Sequence, residues 1–134
     1  MRAAAAFVVV ALAGCGAGHD SAKDARGEVQ RYFAAVGAGD AGLTCATLSP
    51  ASRERLADFG RDRLRTAHSC EATLAAFFRS RTGAALTRSR TRVLSVKVSG
   101  THATARVDGA DRAVRLIHTI AGWRVDSEPL GSAD

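Results

Sequence analysis

Three cysteines, one tyrosine and one histidine are the residues of this sequence whose chemistry is most informative. The chain has three cysteines, Cys15, Cys45 and Cys70. Because this number is odd, one of them has a role apart from a bridge between the other two, or is a free thiol. The hydroxyl of Tyr32 can donate a hydrogen bond, and the imidazole of His118 can act as an acid, a base or a ligand near neutral pH. Cys45 and Cys70 lie far apart with no histidine or cysteine close behind either, which is not zinc spacing, and we predict no metal or other cofactor.

The N-terminal segment is typical of an export signal. A single arginine precedes the uncharged apolar run Ala3–Ala13. A membrane span needs about 18 apolar residues or more, so this run is too short and indicates the core of a signal peptide. It ends in the sequence LAGC, residues 12–15, which resembles a bacterial lipobox. That resemblance implies cleavage before Cys15, a diacylglyceryl group on its thiol, and a protein anchored at the extracytoplasmic face of the cell membrane; the alternative is an ordinary secretory signal followed by a chance cysteine.

Length and composition indicate one globular domain after this segment. The chain has 134 residues, of which 46% are apolar and 24% charged, and its net charge is +6. We divide it into a signal peptide (1–14), a lipidated cysteine with a small polar tether (15–23), one domain (24–130) and a short tail (131–134).

Helical periodicity covers the first half of the domain. Val29, Tyr32, Phe33 and Val36 follow the i, i+3, i+4, i+7 spacing that places an apolar stripe on one face of a helix. We expect this helix to be capped at Ser21 and to end where glycines follow at positions 37 and 39.

Three further helices are each preceded by a residue type that caps helices. The expected caps are Asp40, Ser49 and Ser69. The helix that follows Ser49 should bury Leu56 and Phe59, and glycines at positions 60 and 83 should end the last two helices.

After about residue 90 the apolar period changes from 3.6 to 2, which predicts strands. Turn signals at positions 99–100, 108–109 and 121–122 divide the region into four short strands of an antiparallel meander. The expected inward residues are Leu94, Val96, Val98, Ala103, Ala105, Val107, Val114, Leu116, His118, Ile120, Trp123 and Val125. One face of the sheet is expected to be apolar and the other to carry arginines, so the helices should cover one side. Helices followed by strands indicate the α+β class.

Cys45 and Cys70 fit a disulfide that ties the second helix to the fourth. Such bonds persist in the oxidising compartment that an exported chain enters, and this one could be worth about 3 kcal/mol. The alternative is two free buried thiols.

The order of elements resembles the nuclear transport factor 2-like (NTF2-like) superfamily. The residues that carry this resemblance are VQRYFAA at 29–35, GD at 39–40 and GWRV at 122–125, and the cysteine arrangement resembles that of small lipoproteins of high-GC actinobacteria. The resemblance implies a cone of helices against a curved antiparallel sheet with a pocket between them. The side chains expected to line that pocket are Tyr32, Phe33, Val96, Leu116, His118 and Trp123.

The first helix also resembles that of ketosteroid isomerases within the same superfamily. The resemblance implies that Tyr32 donates a hydrogen bond to a developing enolate oxygen, chemistry that also needs a carboxylate base and a second acid kept neutral. The region where the family carries its base reads here as a helix start, and the strands offer no acid in an apolar alternation. We therefore assign no catalytic residue.

Three functions remain open at this level. The first is a membrane-anchored module that binds a small hydrophobic ligand or an envelope protein; the second is an enzyme that uses Tyr32 and His118 in one pocket. The third is an envelope-interaction protein that works through clustered arginines or as a homodimer across the sheet. We predict no nucleic-acid partner, because an exported lipoprotein does not meet one and the arginine clusters are not interleaved with aromatic residues that could stack on bases.

Overall fold

The computed structural model describes residues 17–65 and 68–127, which form five α-helices and an open four-stranded antiparallel sheet. This confirms the α+β class and the strand meander, and it is compatible with a cone. Cys15, the segment 1–14 and the tail lie outside the described residues. The elements are α1 (Ala17–Ala38), α2 (Ala41–Thr47), α3 (Pro50–Phe59), α4 (Cys70–Arg79), α5 (Arg81–Leu86), β1 (Val93–Ser99), β2 (His102–Val107), β3 (Val114–Thr119) and β4 (Gly122–Val125).

Helix α1 begins earlier than the sequence predicts. Its first residue is Ala17, so residues 17–23, predicted to form a tether, are helical. At the other end Gly39 has a φ of 65°, and the amides of Gly39 and Asp40 donate to the carbonyls of Val36 and Ala35, each at 3.0 Å. This pair of bonds satisfies carbonyls that the helix end would leave free, and glycine tolerates the left-handed conformation that it requires.

Of the four predicted N-caps, the one at Ser21 is wrong, because Ser21 lies inside α1, and the other three are confirmed. Asp40 Oδ1 accepts from the amide of Leu43 at 2.8 Å, and the hydroxyls of Ser49 and Ser69 each accept from an amide three residues on, at 3.1 Å. Each cap satisfies an amide that has no partner inside its own helix.

Two glycines predicted to end helices do not end them. Gly60 continues α3 into a π-helical turn that stops at Arg65, and Phe59 is exposed rather than buried. Helix α4 ends at Arg79, whereas Gly83 lies inside α5. A Cβ atom on Gly83 would lie 1.9 Å from the carbonyl oxygen of Phe77, so this glycine permits α5 to pack against the end of α4.

The inner face of the sheet follows the predicted alternation except at the start of β1 and at the end of β3, where His118 and Ile120 are exposed. The register moves from Val93 opposite Val107 to Ser95 opposite Arg106, which makes Leu94 part of a β-bulge. Leu94 is therefore exposed, and Val93 takes the buried position in its place. The bulge depends on α1 and could not be derived from a local pattern, because the guanidinium of Arg26 donates to the carbonyls of Val93 and Leu94.

Helix α1 contacts both edge strands of the sheet. Arg26 reaches β1, while Glu28, two residues later and so on nearly the opposite side of the helix, lies beside Arg124 of β4. Helix α1 therefore packs across the sheet from one edge strand to the other.

The predicted pairing of Cys45 with Cys70 is confirmed. The sulfur atoms lie 2.01 Å apart and the Cα atoms 6.2 Å apart, both in the range of a disulfide. The bond joins α2 to the first residue of α4, and both cysteines are buried.

Two glycine-to-alanine substitutions should have opposite effects on stability. Gly83→Ala should lower the free energy of unfolding by about 2 kcal/mol or more, because its Cβ would overlap backbone atoms of α4. Gly27→Ala should raise it by about 1 kcal/mol, because nothing lies within 4 Å of a Cβ there and alanine favours the helix. Urea denaturation measures both; equal effects of the two substitutions would contradict the packing of α5 on α4.

Candidate functional site

The side chains predicted to line a pocket are mostly core residues. Tyr32, Leu116 and Trp123 are buried in the hydrophobic core, and Phe33 and Val96 are partly buried against it. These side chains therefore pack the interior between the helices and the sheet.

His118 is the exception. It lies on the same face of β3 as Leu116 and pairs with Trp123 of β4, but its side chain is exposed. The expectation that it faces into the fold is wrong in this respect, because the helices do not cover the last residues of β3. Its ring lies edge-on to Trp123, with the ring centroids 5.0 Å apart.

Burial keeps the hydroxyl of Tyr32 protonated, so it can donate a hydrogen bond. Its ring packs edge-on to Phe33 at a centroid distance of 5.0 Å, and burial raises the pKa of Tyr32 to about 12. The ring contact of Tyr32 is with Phe33 and that of His118 is with Trp123. The structure thus gives the two residues separate surroundings, one in the core and one at the surface.

Glu28 is a buried carboxylate one helical turn before Tyr32. Only 8% of its side chain is exposed; Oε2 accepts from Arg31 at 3.0 Å, and Oε1 lies 3.6 Å from Arg124 Nη1. Within the described part of the chain, Oε1 is a buried oxygen that accepts no hydrogen bond. Arg124 Nη1 itself donates to the carbonyl of Trp123 at 2.7 Å.

The sequence interpretation overlooked Glu28, although a signal for it exists. Ala25, Glu28, Tyr32 and Ala35 recur at helical spacing and are all buried, so the carboxylate lies on the same face as the core residues. A glutamate within an apolar stripe needs a cation nearby. Arg124 is far from Glu28 in the sequence, so only the tertiary structure identifies it as that cation.

A second polar cluster lies where α2 meets α3. The hydroxyl of Ser49 donates to Asp126 Oδ1 at 2.5 Å, and its amide donates to the carbonyl of Val125 at 2.8 Å. Arg55 Nη2 donates to the hydroxyl of Ser52 at 2.9 Å. Ser49 is buried, its hydroxyl caps α3, and both its hydroxyl and its amide bind residues 125–126, so this cluster fastens the helices to the end of β4.

The outer face of the sheet is open and basic. Lys97, Thr104 and Arg115 form one row across β1, β2 and β3, and Arg106 lies two residues from Thr104 on the same face. With strands about 4.8 Å apart, Lys97 and Arg115 are roughly 10 Å from each other. All four side chains are exposed, and the four strands contain no aspartate or glutamate. We call this surface the basic sheet face.

Comparison with known proteins leaves the family open, since no family model, curated protein or solved structure matches the chain. Among the described residues, no helix is long and apolar enough to cross a membrane. In the same ranges, no group of three or more histidines, cysteines, aspartates or glutamates is placed to hold a metal ion.

Tyr32 should titrate abnormally and should make stability depend on alkaline pH. It is the only tyrosine, so tyrosinate absorbance reports on it alone; the midpoint should be about 12 in the folded protein and about 10 in denaturant. Because the folded state binds this proton more tightly, its contribution to stability is complete below pH 10 and is lost as the pH rises towards 12. Tyr32→Phe should remove this part of the alkaline loss, and a midpoint near 10 in the folded protein would contradict the burial.

Glu28 and Arg124 should be energetically coupled. A double-mutant cycle with Glu28→Gln and Arg124→Met should give a coupling free energy of about 2 kcal/mol, because removing Arg124 leaves a buried carboxylate poorly paired. The control is the pair Asp58 and Arg61, whose side chains are about half exposed and whose coupling should be below about 1 kcal/mol. Urea denaturation measures both cycles; equal coupling in the two would mean that Glu28 is solvated.

Proposed function

We propose that this protein is a lipoprotein held by Cys15 at the extracytoplasmic face of the cell membrane, and that its domain is a binding or accessory module rather than an enzyme. The order of elements, helices followed by a four-stranded antiparallel meander, supports an NTF2-like cone as its fold. The LAGC sequence supports the anchor. The bridge between Cys45 and Cys70 supports export, because such bonds persist in oxidising compartments.

Three of the described groups with catalytic chemistry have structural roles. Tyr32 packs in the core, Glu28 neutralises two arginines, and Ser49 caps a helix and binds Asp126. His118 is exposed and lies against Trp123. An isomerase or cyclase would need a base and a proton donor on a shared substrate, and these surroundings do not favour such a pair.

The binding proposal is carried by the basic sheet face. This face presents Lys97, Arg106 and Arg115, and none of the four strands carries a carboxylate. No carboxylate within this face pairs with Lys97, Arg106 or Arg115. These three cations are therefore available to a partner. The partner that this surface fits is an extracytoplasmic protein with an acidic patch, which would bind with electrostatic complementarity.

Photo-crosslinking in the producing cells tests this proposal. A benzophenone side chain at Thr104, between Lys97 and Arg115, should form a discrete protein adduct, and one at Ala72 on α4 should not. Lys97→Gln with Arg115→Gln should reduce the adduct roughly tenfold, since both cations contact the partner. The matched control, Arg79→Gln with Arg81→Gln, removes the same charge from an exposed helical surface and should leave it unchanged.

An adduct that forms equally from both positions, or that ignores the loss of Lys97 and Arg115, would contradict the binding surface. Intact mass of the detergent-extracted protein, before and after reduction, tests the anchor and the bridge separately. We expect a chain that begins at Cys15, carries a diacylglyceryl group and gains hydrogen on reduction of one disulfide.

A further inference from the structure

The direction of α1 relative to the sheet fixes which end of the domain lies near Cys15. A Cβ on Gly39, at the C-terminal end of α1, would lie 3.6 Å from Thr87 Cγ2, while Arg26 binds the carbonyl of Val93. The chain from Thr87 to Val93 therefore passes α1 in the opposite direction, towards its N-terminus. Strand β1 continues from Val93 in this sense.

The opposite edge of the sheet leads to the same result. Arg124 Nη1 lies against both Glu28 and the carbonyl of Trp123, whereas Val125 binds Ser49 at the end of α2. Strands β1 to β4 pair antiparallel in order, so β4 runs in the opposite sense to β1. Strand β4 thus runs parallel to α1, and its first residue points towards the N-terminal end of the helix.

The turns between β1 and β2 (residues 99–102) and between β3 and β4 (residues 119–122) form one end of the sheet, which we call the hairpin tips. The amide of His118 donates to the carbonyl of Thr101 at 2.7 Å, which holds the two tips together. Arg26 lies nine residues into α1, about 14 Å from its start, and β1 extends about 20 Å from Val93 to Ser99. The hairpin tips therefore reach the level at which α1 begins.

The composition of the hairpin tips differs from that of the other end of the sheet. Residues 99–102 and 119–122 contain no aspartate, glutamate, lysine or arginine, and Ile120 is fully exposed at the outermost position. The opposite end carries exposed charges in the segment before β1 and in the turn between β2 and β3: Arg88, Arg90, Arg92, Asp108, Asp111 and Arg112.

The polar groups of the second tip are satisfied within the turn. The hydroxyl of Thr119 donates to the carbonyl of Gly122 at 2.9 Å and accepts from the amide of Ala121 at 3.2 Å. Moving a turn out of water costs less free energy when its polar groups bind each other than when they depend on solvent.

In the sequence, a single residue, Gly16, separates Cys15 from the first residue of α1. Two residues span at most about 7 Å, so a lipid on Cys15 keeps the N-terminal end of α1 close to the headgroups. We propose that the hairpin tips rest on the lipid surface to which Cys15 is anchored, with Ile120 inserted among the headgroups. This inference rests on the proposed lipid anchor, and the tips act as the second contact that a single anchor needs for a fixed orientation.

The test uses the full-length, lipid-modified protein in phosphatidylcholine vesicles that contain spin-labelled lipid. A nitrobenzoxadiazole group is attached at Ile120→Cys or, as the control, at Leu94→Cys, an exposed apolar position at the charged end of the sheet. We expect lipid to quench the label at position 120 roughly threefold more than the label at position 94, because only the hairpin tips lie in the interface. Replacing part of the phosphatidylcholine by phosphatidylglycerol should leave this ratio unchanged, since the tips carry no formal charge.

Equal quenching at both positions, or stronger quenching at position 94, would overturn the orientation. Quenching at position 94 that appears only with phosphatidylglycerol would mean that the arginine-rich end binds the membrane instead. Intact mass distinguishes the two levels of failure: a lipid-modified protein without quenching at position 120 overturns only this inference, whereas a protein without lipid on Cys15 overturns the proposed anchor as well.

Discussion

The contact of α1 with both edge strands of the sheet is the constraint on which the rest of the fold depends. Arg26 binds the bulge of β1 on one side of the helix, and Glu28 meets Arg124 of β4 on the other. Between these contacts, β2 presents alanines at positions 103 and 105 and, at its end, Val107, all of them buried. The small side chains at positions 103 and 105 let the helix backbone approach the sheet closely, so one helix can pack against several strands.

Features that depend on neighbouring residues could be predicted, whereas those that depend on distant ones could not. The caps at Asp40, Ser49 and Ser69 each use an amide three residues away, and the alternation in β2 reflects a regular strand. The bulge at Leu94 depends on a hydrogen bond to residue 26, which no local pattern reveals. The exposure of His118 has a similar cause, because alternation gives the face of a strand but not the extent to which helices cover it.

The same distinction between local and long-range features applies to the candidate site. Tyr32 could be predicted because its position in an apolar stripe is a local property, whereas its burial in the core required the structure. Glu28 lies in the same helical turn but has meaning only together with Arg124, which is far away in the sequence. The basic sheet face was predicted only as a polar face that carries arginines. The row formed by Lys97, Thr104 and Arg115 requires the register of three strands.

The helical layer explains why the domain needs a disulfide. Thr44, Thr47 and Thr73 are buried in α2 and α4, and each hydroxyl donates to a carbonyl of its own helix or cap. These bonds make burial tolerable, but a threonine contributes less hydrophobic stabilisation than the larger apolar residues that usually join helices. A bridge that closes a loop of this length contributes about 3 kcal/mol, which offsets the weak apolar contact between the two helices. In a reducing compartment α4 would lose that support while α1 and the sheet kept theirs, so the polar interior of this layer is suited to a chain that folds where its cysteines are oxidised.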